Sequence, residues 1–140
     1  MNEICIDTGV LMIYFSNDPT PKVSQLFKDC IEGKINIHLL KPIIVETVKQ
    51  LCKLNSIDQA KIIILSFLNK VPVSLIDIDT SLAIYAGVLK WQNNEMLSTV
   101  DSIVIAYAIN KKLPFHTTEK KLKKIPASLL QRLKIVKYNF

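Results

Sequence analysis

Residues 4–15 read Ile4-Cys5-Ile6-Asp7-Thr8-Gly9-Val10-Leu11-Met12-Ile13-Tyr14-Phe15. The opening residues are uniformly apolar, as in a short strand covered on both faces. An acid, a threonine and a glycine interrupt the run. A second apolar stretch follows over 10–15 and starts a short helix. A covered strand passing straight into a helix is half of a β–α–β unit, and the rest of the chain repeats that alternation. Pro19 and Pro21 punctuate the connection, and helical spacing of Val23, Leu26, Phe27, Cys30 and Ile31 predicts a helix over 22–32, stopped at Gly33. A strand over 35–39 follows. Pro42 suits a first helical position before a helix over 43–54, and Ser56 can cap another over 57–68. Beyond lie a strand over 71–76, a helix from Asp79 or Thr80 to about Gln92, a helix over 98–112 and a short strand over 114–116. A short basic helix over 119–124 and a strand over 133–137 close the chain. Strands alternating with helices imply a parallel sheet with right-handed crossovers. The expected fold class is therefore α/β, a three-layer α/β/α sandwich around a central, mostly parallel sheet of four or five strands. It is expected to form a single domain over 1–140.

Composition agrees with this reading. In 140 residues, 49% are hydrophobic and 7% aromatic, with only 3 glycines, so the chain can build a core and is not disordered. Cys5, Cys30 and Cys52 are scattered and odd in number. They make a poor disulfide or zinc set and fit thiols in a reducing compartment. No basic and apolar leader is visible, and the longest apolar run, 62–68, is broken by Ser66 and is too short to cross a bilayer. The expectation is a cytoplasmic protein without membrane contact. Eighteen basic residues against 12 acidic ones leave a net charge of +6, which favours an anionic partner. So apolar a small chain is also expected to cover a surface patch with a partner or with a second copy of itself.

Four acids fall at equivalent places. Asp7 ends the first strand, Glu46 lies in the first turns of the helix after the second, Asp101 in the first turn of the helix begun near Ser98, and Glu119 just past the fourth strand. In a parallel sheet, strand carboxyl ends and the N-termini of the following helices share one edge, where ligands bind as strand order reverses. Each acid alone also fits a helix cap or a dipole partner. Their surroundings argue for more: Glu46 sits in Pro42-Ile43-Ile44-Val45-Glu46-Thr47-Val48, and Asp101 heads Val100-Asp101-Ser102-Ile103-Val104-Ile105-Ala106. Charges within such apolar runs need partners. Arg132 is the only arginine in the chain, so a hard divalent cation is the economical partner.

At these residues the chain resembles the PIN domain family of nucleases. Ile4-Cys5-Ile6-Asp7-Thr8 resembles that family's opening strand, and Glu46 its second acid. Asp101 with Ile103, Ala106 and Ala108 resembles its third acidic helix. Leu113-Pro114-Phe115-His116-Thr117-Thr118-Glu119 resembles its closing strand, whose acid is more usually Asp. By size the chain is most similar to VapC toxins, the toxin half of a toxin–antitoxin pair. The resemblance implies an endoribonuclease that hydrolyses RNA with Mg²⁺ or Mn²⁺ held by Asp7, Glu46, Asp101 and Glu119. It also implies a small antitoxin partner and a homodimer. Thr8 and Thr117 would orient carboxylates or a metal-bound water, and Lys120, Lys121, Lys123 and Lys124 would hold substrate phosphates. Gly9 stands where the family often has a small polar residue. The alternatives on the same fold are an RNA-processing nuclease outside any toxin–antitoxin pair and a non-catalytic nucleic-acid or protein-binding module.

Other chemistries fit less well. Asp77-Ile78-Asp79-Thr80 imitates the nucleophile motif of dehalogenase-like phosphatases, but too few strands follow it, so the two acids read as a strand end and a helix cap. A phosphoacceptor domain would need paired acids after the first strand, where Asp7 stands alone. His38 and His116 come from separate strands without a ligand-spaced partner. Trp91, Tyr85 and Tyr107 lie on amphipathic helices and read as core or interface residues.

Overall fold

The computed structural model describes residues 2–139. Its elements, in chain order, are β1 (Asn2–Ile6), α1 (Thr8–Tyr14), α2 (Pro21–Ile31), β2 (Ile35–Leu40), α3 (Lys41–Leu54), α4 (Ile57–Lys70) and β3 (Ser74–Ile76). There follow α5 (Thr80–Gln92), α6 (Thr99–Lys111), β4 (Phe115–Thr118), α7 (Glu119–Leu122), α8 (Ala127–Leu130) and β5 (Ile135–Tyr138). The five strands form one sheet in the order β3-β2-β1-β4-β5, and every pairing is parallel. The α/β class and the parallel sheet are as expected.

That strand order positions the functional edge. The chain leaves β1 toward β2 and β3, then returns to lay β4 on the opposite side of β1. Right-handed crossovers in opposite directions put α1–α4 on one face and α5–α8 on the other, which agrees with α1 packing on α2 and α3, and α5 on α6. The reversal leaves a crevice between the carboxyl ends of β1 and β4. Asp7 follows β1 there, and Thr117 and Thr118 end β4.

The core fills both faces. Cys5, Ile6, Ile37, Leu39 and Leu40 from the strands are fully buried. An aromatic cluster closes one side, with the rings of Tyr14 and Phe27 4.3 Å apart and Phe67 edge-on to Phe27 at 5.7 Å. Local chemistry sets most helix starts: Ser56, Asp79 and Ser98 accept from the backbone N–H of Gln59, Leu82 and Asp101, each satisfying a donor that the first turn leaves orphaned. Asp79 is thus the expected cap, and Asp77 makes an exposed ion pair with Lys41 at 2.7 Å.

Most bounds shift by a few residues at the ends, and two differences are larger. The third strand begins at Ser74 rather than at residue 71, because Pro72 lacks a donor for the ladder and Val71 instead ends α4 as a residue only 1% exposed. The segment after β4 makes two short helices, α7 and α8, where only one was expected. Trp91 is 81% exposed, so it is no core residue, whereas Tyr107 is buried and its hydroxyl meets His38 Nδ1 at 2.7 Å.

The end of α6 carries local strain. Lys112 adopts a left-handed conformation at φ 56°, and Leu113 N–H bonds back to the carbonyl of Ala108, the closure that usually takes glycine. Lys112→Gly is expected to stabilise the fold by about 0.5–1 kcal/mol, read as a higher urea midpoint with an unchanged slope.

Candidate active site

Asp7 is placed by two elements at once. It is the last residue before α1 and takes extended backbone, so its Oδ1 accepts from the N–H of Val10 at 3.3 Å. Its Oδ2 accepts from the hydroxyl of Thr117 on the neighbouring β4. The side chain is buried, and burial pushes its pKa up to about 6, against the lowering pull of the Thr117 hydrogen bond and the charge of Lys121. Sequence reasoning placed Thr117 as an orienting group, and its hydroxyl does contact the carboxylate.

Asp101 lies in the first turn of α6, its side chain 10% exposed, and forms an ion pair at 2.7 Å with the ammonium of Lys121 from α7. Burial of Lys121 would lower its pKa. The hydrogen bond and charge of Asp101, with the charges of Asp7 and Glu46, outweigh that and hold it above the usual lysine range. Glu46, half-buried on α3, lines a hollow of about 240 Å³ together with Thr8, Gly9, Met12, Gln50, Thr118, Lys120, Lys121 and Lys124. The ammonium of Lys121 thus touches Asp101 directly, with the charges of Asp7 and Glu46 within electrostatic reach of it. No arginine lies near these acids in the sequence, which names a divalent cation as the economical partner; in the fold Asp101 also has a lysine beside it. The lysine comes from a segment remote from Asp101, and only the fold brings the two together.

Glu119 stands apart. It opens α7, is exposed, and lines a separate hollow with Lys120, Lys123, Tyr138 and Asn139. Residues two apart on a helix point about 200° from each other, so when Lys121 turns into the crevice, Glu119 turns away. Thr8 is buried, and its hydroxyl lacks a hydrogen-bond partner among the described residues. Gly9 has a steric reason in place of the missing polar group: a Cβ there would stand 2.7 Å from Thr118 Cγ2.

Among the described residues, no group of three His, Cys, Asp or Glu side chains is placed to hold a metal ion. The residues nonetheless fit a hard divalent cation in kind. Their donors are carboxylate oxygens, a cation already pairs with one of them, Asp101, and the Thr8 hydroxyl is, among the described residues, an unpartnered group at the same hollow. The two histidines play no part here: His38 bonds Tyr107 and Glu3. His116 is buried against the Tyr138 hydroxyl at 2.7 Å, and burial depresses its pKa to about 4.

Fold and crevice together define a small doubly wound α/β domain with an acidic cleft at the strand-order switch and lysines at its mouth. A sequence model of the PIN domain matches residues 4–128. The chain belongs to the PIN domain family, a family of nucleases. No curated protein matches the sequence significantly. Among solved structures, the fold is similar to VapBC2 from Rickettsia felis bound to a DNA fragment from its promoter, with a TM-score of 0.72 and 16% identity over 97% of this chain and 98% of that one. It is also similar to DNA-bound VapBC from Salmonella typhimurium, with a TM-score of 0.70 and 15% identity over 98% of each chain. A third is VapC20 of Mycobacterium tuberculosis, described as a toxin cleaving the sarcin–ricin loop, with a TM-score of 0.64 and 14% identity over 81% of this chain and 86% of that one.

Proposed function

We propose that the protein is an endoribonuclease that hydrolyses RNA phosphodiester bonds with Mg²⁺ or Mn²⁺, and that it is the toxin half of a toxin–antitoxin pair. The observation that supports this most is the ion pair of Asp101 with Lys121 at the mouth of the crevice, where the charges of Asp7 and Glu46 also reach the ammonium. Those three carboxylates would hold the metal, which when bound supplies positive charge against the phosphate and a water of lowered pKa. Thr117 holds Asp7 in one orientation through its hydrogen bond, as supporting groups do for metal ligands. The Thr8 hydroxyl is available to a water in the cleft. Lys120 and Lys124 line the mouth and would engage the RNA backbone, with Lys123 extending the basic rim over the neighbouring hollow. Glu119 belongs to that rim, so its contribution is expected to be small.

An antitoxin partner is supported by the toxin–antitoxin complexes among the similar folds. Exposed Ile84, Val88 and Trp91 make an apolar stripe along α5, which suits cover by a second copy or a partner. Among the described residues no helix is long and apolar enough to cross a membrane. With three free cysteines, we place the protein in the cytoplasm.

The test is cleavage of a labelled RNA by the purified protein. EDTA is expected to abolish cleavage and Mn²⁺ to restore it. Asp101→Asn should lower the rate by at least about 100-fold, since even groups that only support metal ligands contribute about 10–100-fold. Glu119→Gln should stay within about tenfold of wild type by the same comparison. Undiminished cleavage in EDTA, or a fully active Asp101→Asn, would overturn the reading.

A further inference from the structure

Lys121 is the one lysine of the basic run whose charge is turned inward. Its side chain is 22% exposed, and its Nζ lies 2.7 Å from Asp101 Oδ1. The backbone of the same residue is tied to the end of β4, where the Thr118 hydroxyl accepts from Lys121 N–H at 3.4 Å. A phosphate-binding lysine would be expected at the rim with its ammonium in water, as Lys120 is, exposed at the mouth. Lys121 instead pairs with the carboxylate of Asp101, and the charges of Asp7 and Glu46 also favour its ammonium there.

We propose that Lys121 is a tethered counter-ion that competes with the divalent cation for Asp101, so that metal entry requires its ammonium to leave the cleft. This rests on the metal-site reading above. Three carboxylates in one crevice repel one another, and a built-in cation lets the metal-free chain fold without an ion. The same charge then opposes loading. Both an ammonium and a hard divalent ion seek the carboxylate oxygens of Asp101, and close approach of the two would be repulsive. Displaced from Asp101, the Lys121 ammonium would swing toward the mouth, where its charge becomes available to an RNA phosphate.

The experiment is Mn²⁺ titration by calorimetry without RNA. Lys121→Gln is expected to bind Mn²⁺ roughly tenfold or more tightly than wild type, because one unit charge is removed at contact range. Lys120→Gln, which removes a solvent-exposed charge beside the same cleft, should change it by less than about threefold. A second measurement uses the unaltered protein. The ¹⁵N signal of the Lys121 ammonium should be protected in the metal-free state and lost to solvent exchange as Mg²⁺ saturates. Equal Mn²⁺ affinity in wild type and Lys121→Gln, or a Lys121 signal unmoved at saturation, overturns the competition while leaving the metal site standing. Binding by Lys121→Gln but not by wild type supports the competition in its strongest form. Absence of binding in every variant overturns the metal reading, and this proposal with it.

Discussion

Asp7→Asn is expected to abolish RNA cleavage and, at the same time, to make the metal-free protein more stable at neutral pH. The loss of activity should exceed about 100-fold, since it removes a ligand rather than a supporting group. The gain in stability follows from the carboxyl's environment. Its pKa is raised from 3.8 to about 6, chiefly by burial. A carboxyl with a folded pKa above its unfolded one binds protons more readily in the folded state, so folding stability is greatest below the unfolded value. It falls as pH rises through the interval and levels off above about 6. With about 1.4 kcal/mol per pH unit, the penalty above pH 6 is on the order of 3 kcal/mol. Asparagine carries no charge; its one amide oxygen can accept from Val10 N–H, and its Nδ2 can donate to the Thr117 hydroxyl oxygen, reversing that bond. The metal-free wild type should therefore melt at a higher temperature at pH 5 than at pH 7.5, and Asp7→Asn should flatten that dependence. Saturating Mn²⁺ should raise the wild-type melting temperature at pH 7.5 and leave Asp7→Asn nearly unmoved. A wild-type stability that rises between pH 5 and 7.5 without metal would count against this account of Asp7.

Gly9→Ala is expected to destabilise the fold by roughly 1–3 kcal/mol, the usual effect of overpacking a closed site, and to lower activity with it. An alanine Cβ would stand 2.7 Å from Thr118 Cγ2, 3.1 Å from its hydroxyl and 3.4 Å from Asp7 Oδ1. Thr118 is only 4% exposed and is β-branched, so it has little room to turn away. If it shifts, it releases its cap on Lys121 N–H and disturbs α7. If α1 shifts instead, Asp7 loses its bond from Val10 N–H. Thr118→Ser deletes the clashing methyl and keeps the capping hydroxyl, so the pair Gly9→Ala with Thr118→Ser should recover most of the lost stability. Urea unfolding of the single and double variants measures it. A Gly9→Ala protein as stable as wild type would show that the close approach does not constrain the cleft.

These two positions also separate what is readable in the chain from what is not. Asp7 stands out because it ends a covered apolar run, and the strand-then-helix reading carries it to the correct edge of the sheet; Thr117 is marked only by the family resemblance. Glu46 and Asp101 stand out as charges set in apolar helices. The close approach of Gly9 to Thr118 leaves no mark in the sequence, because more than a hundred residues separate them and only the pairing of β1 with β4 makes them neighbours.

The amino-acid sequence alone determined most of the elements, the α/β class and the short list of acids. Those follow from interactions within a few residues: periodic burial, caps reaching from N-cap to the third residue, and proline or glycine at element ends. Tertiary structure decided which side chains share the crevice. Lys121 faces Asp101 while Glu119, two residues earlier, faces away, because a helix rotates about 100° per residue and only docking of α7 on the sheet fixes that rotation. A run of lysines with an acid at its head therefore looks uniform as sequence, yet divides into an inward cation, a basic rim and an outlying carboxylate once packed.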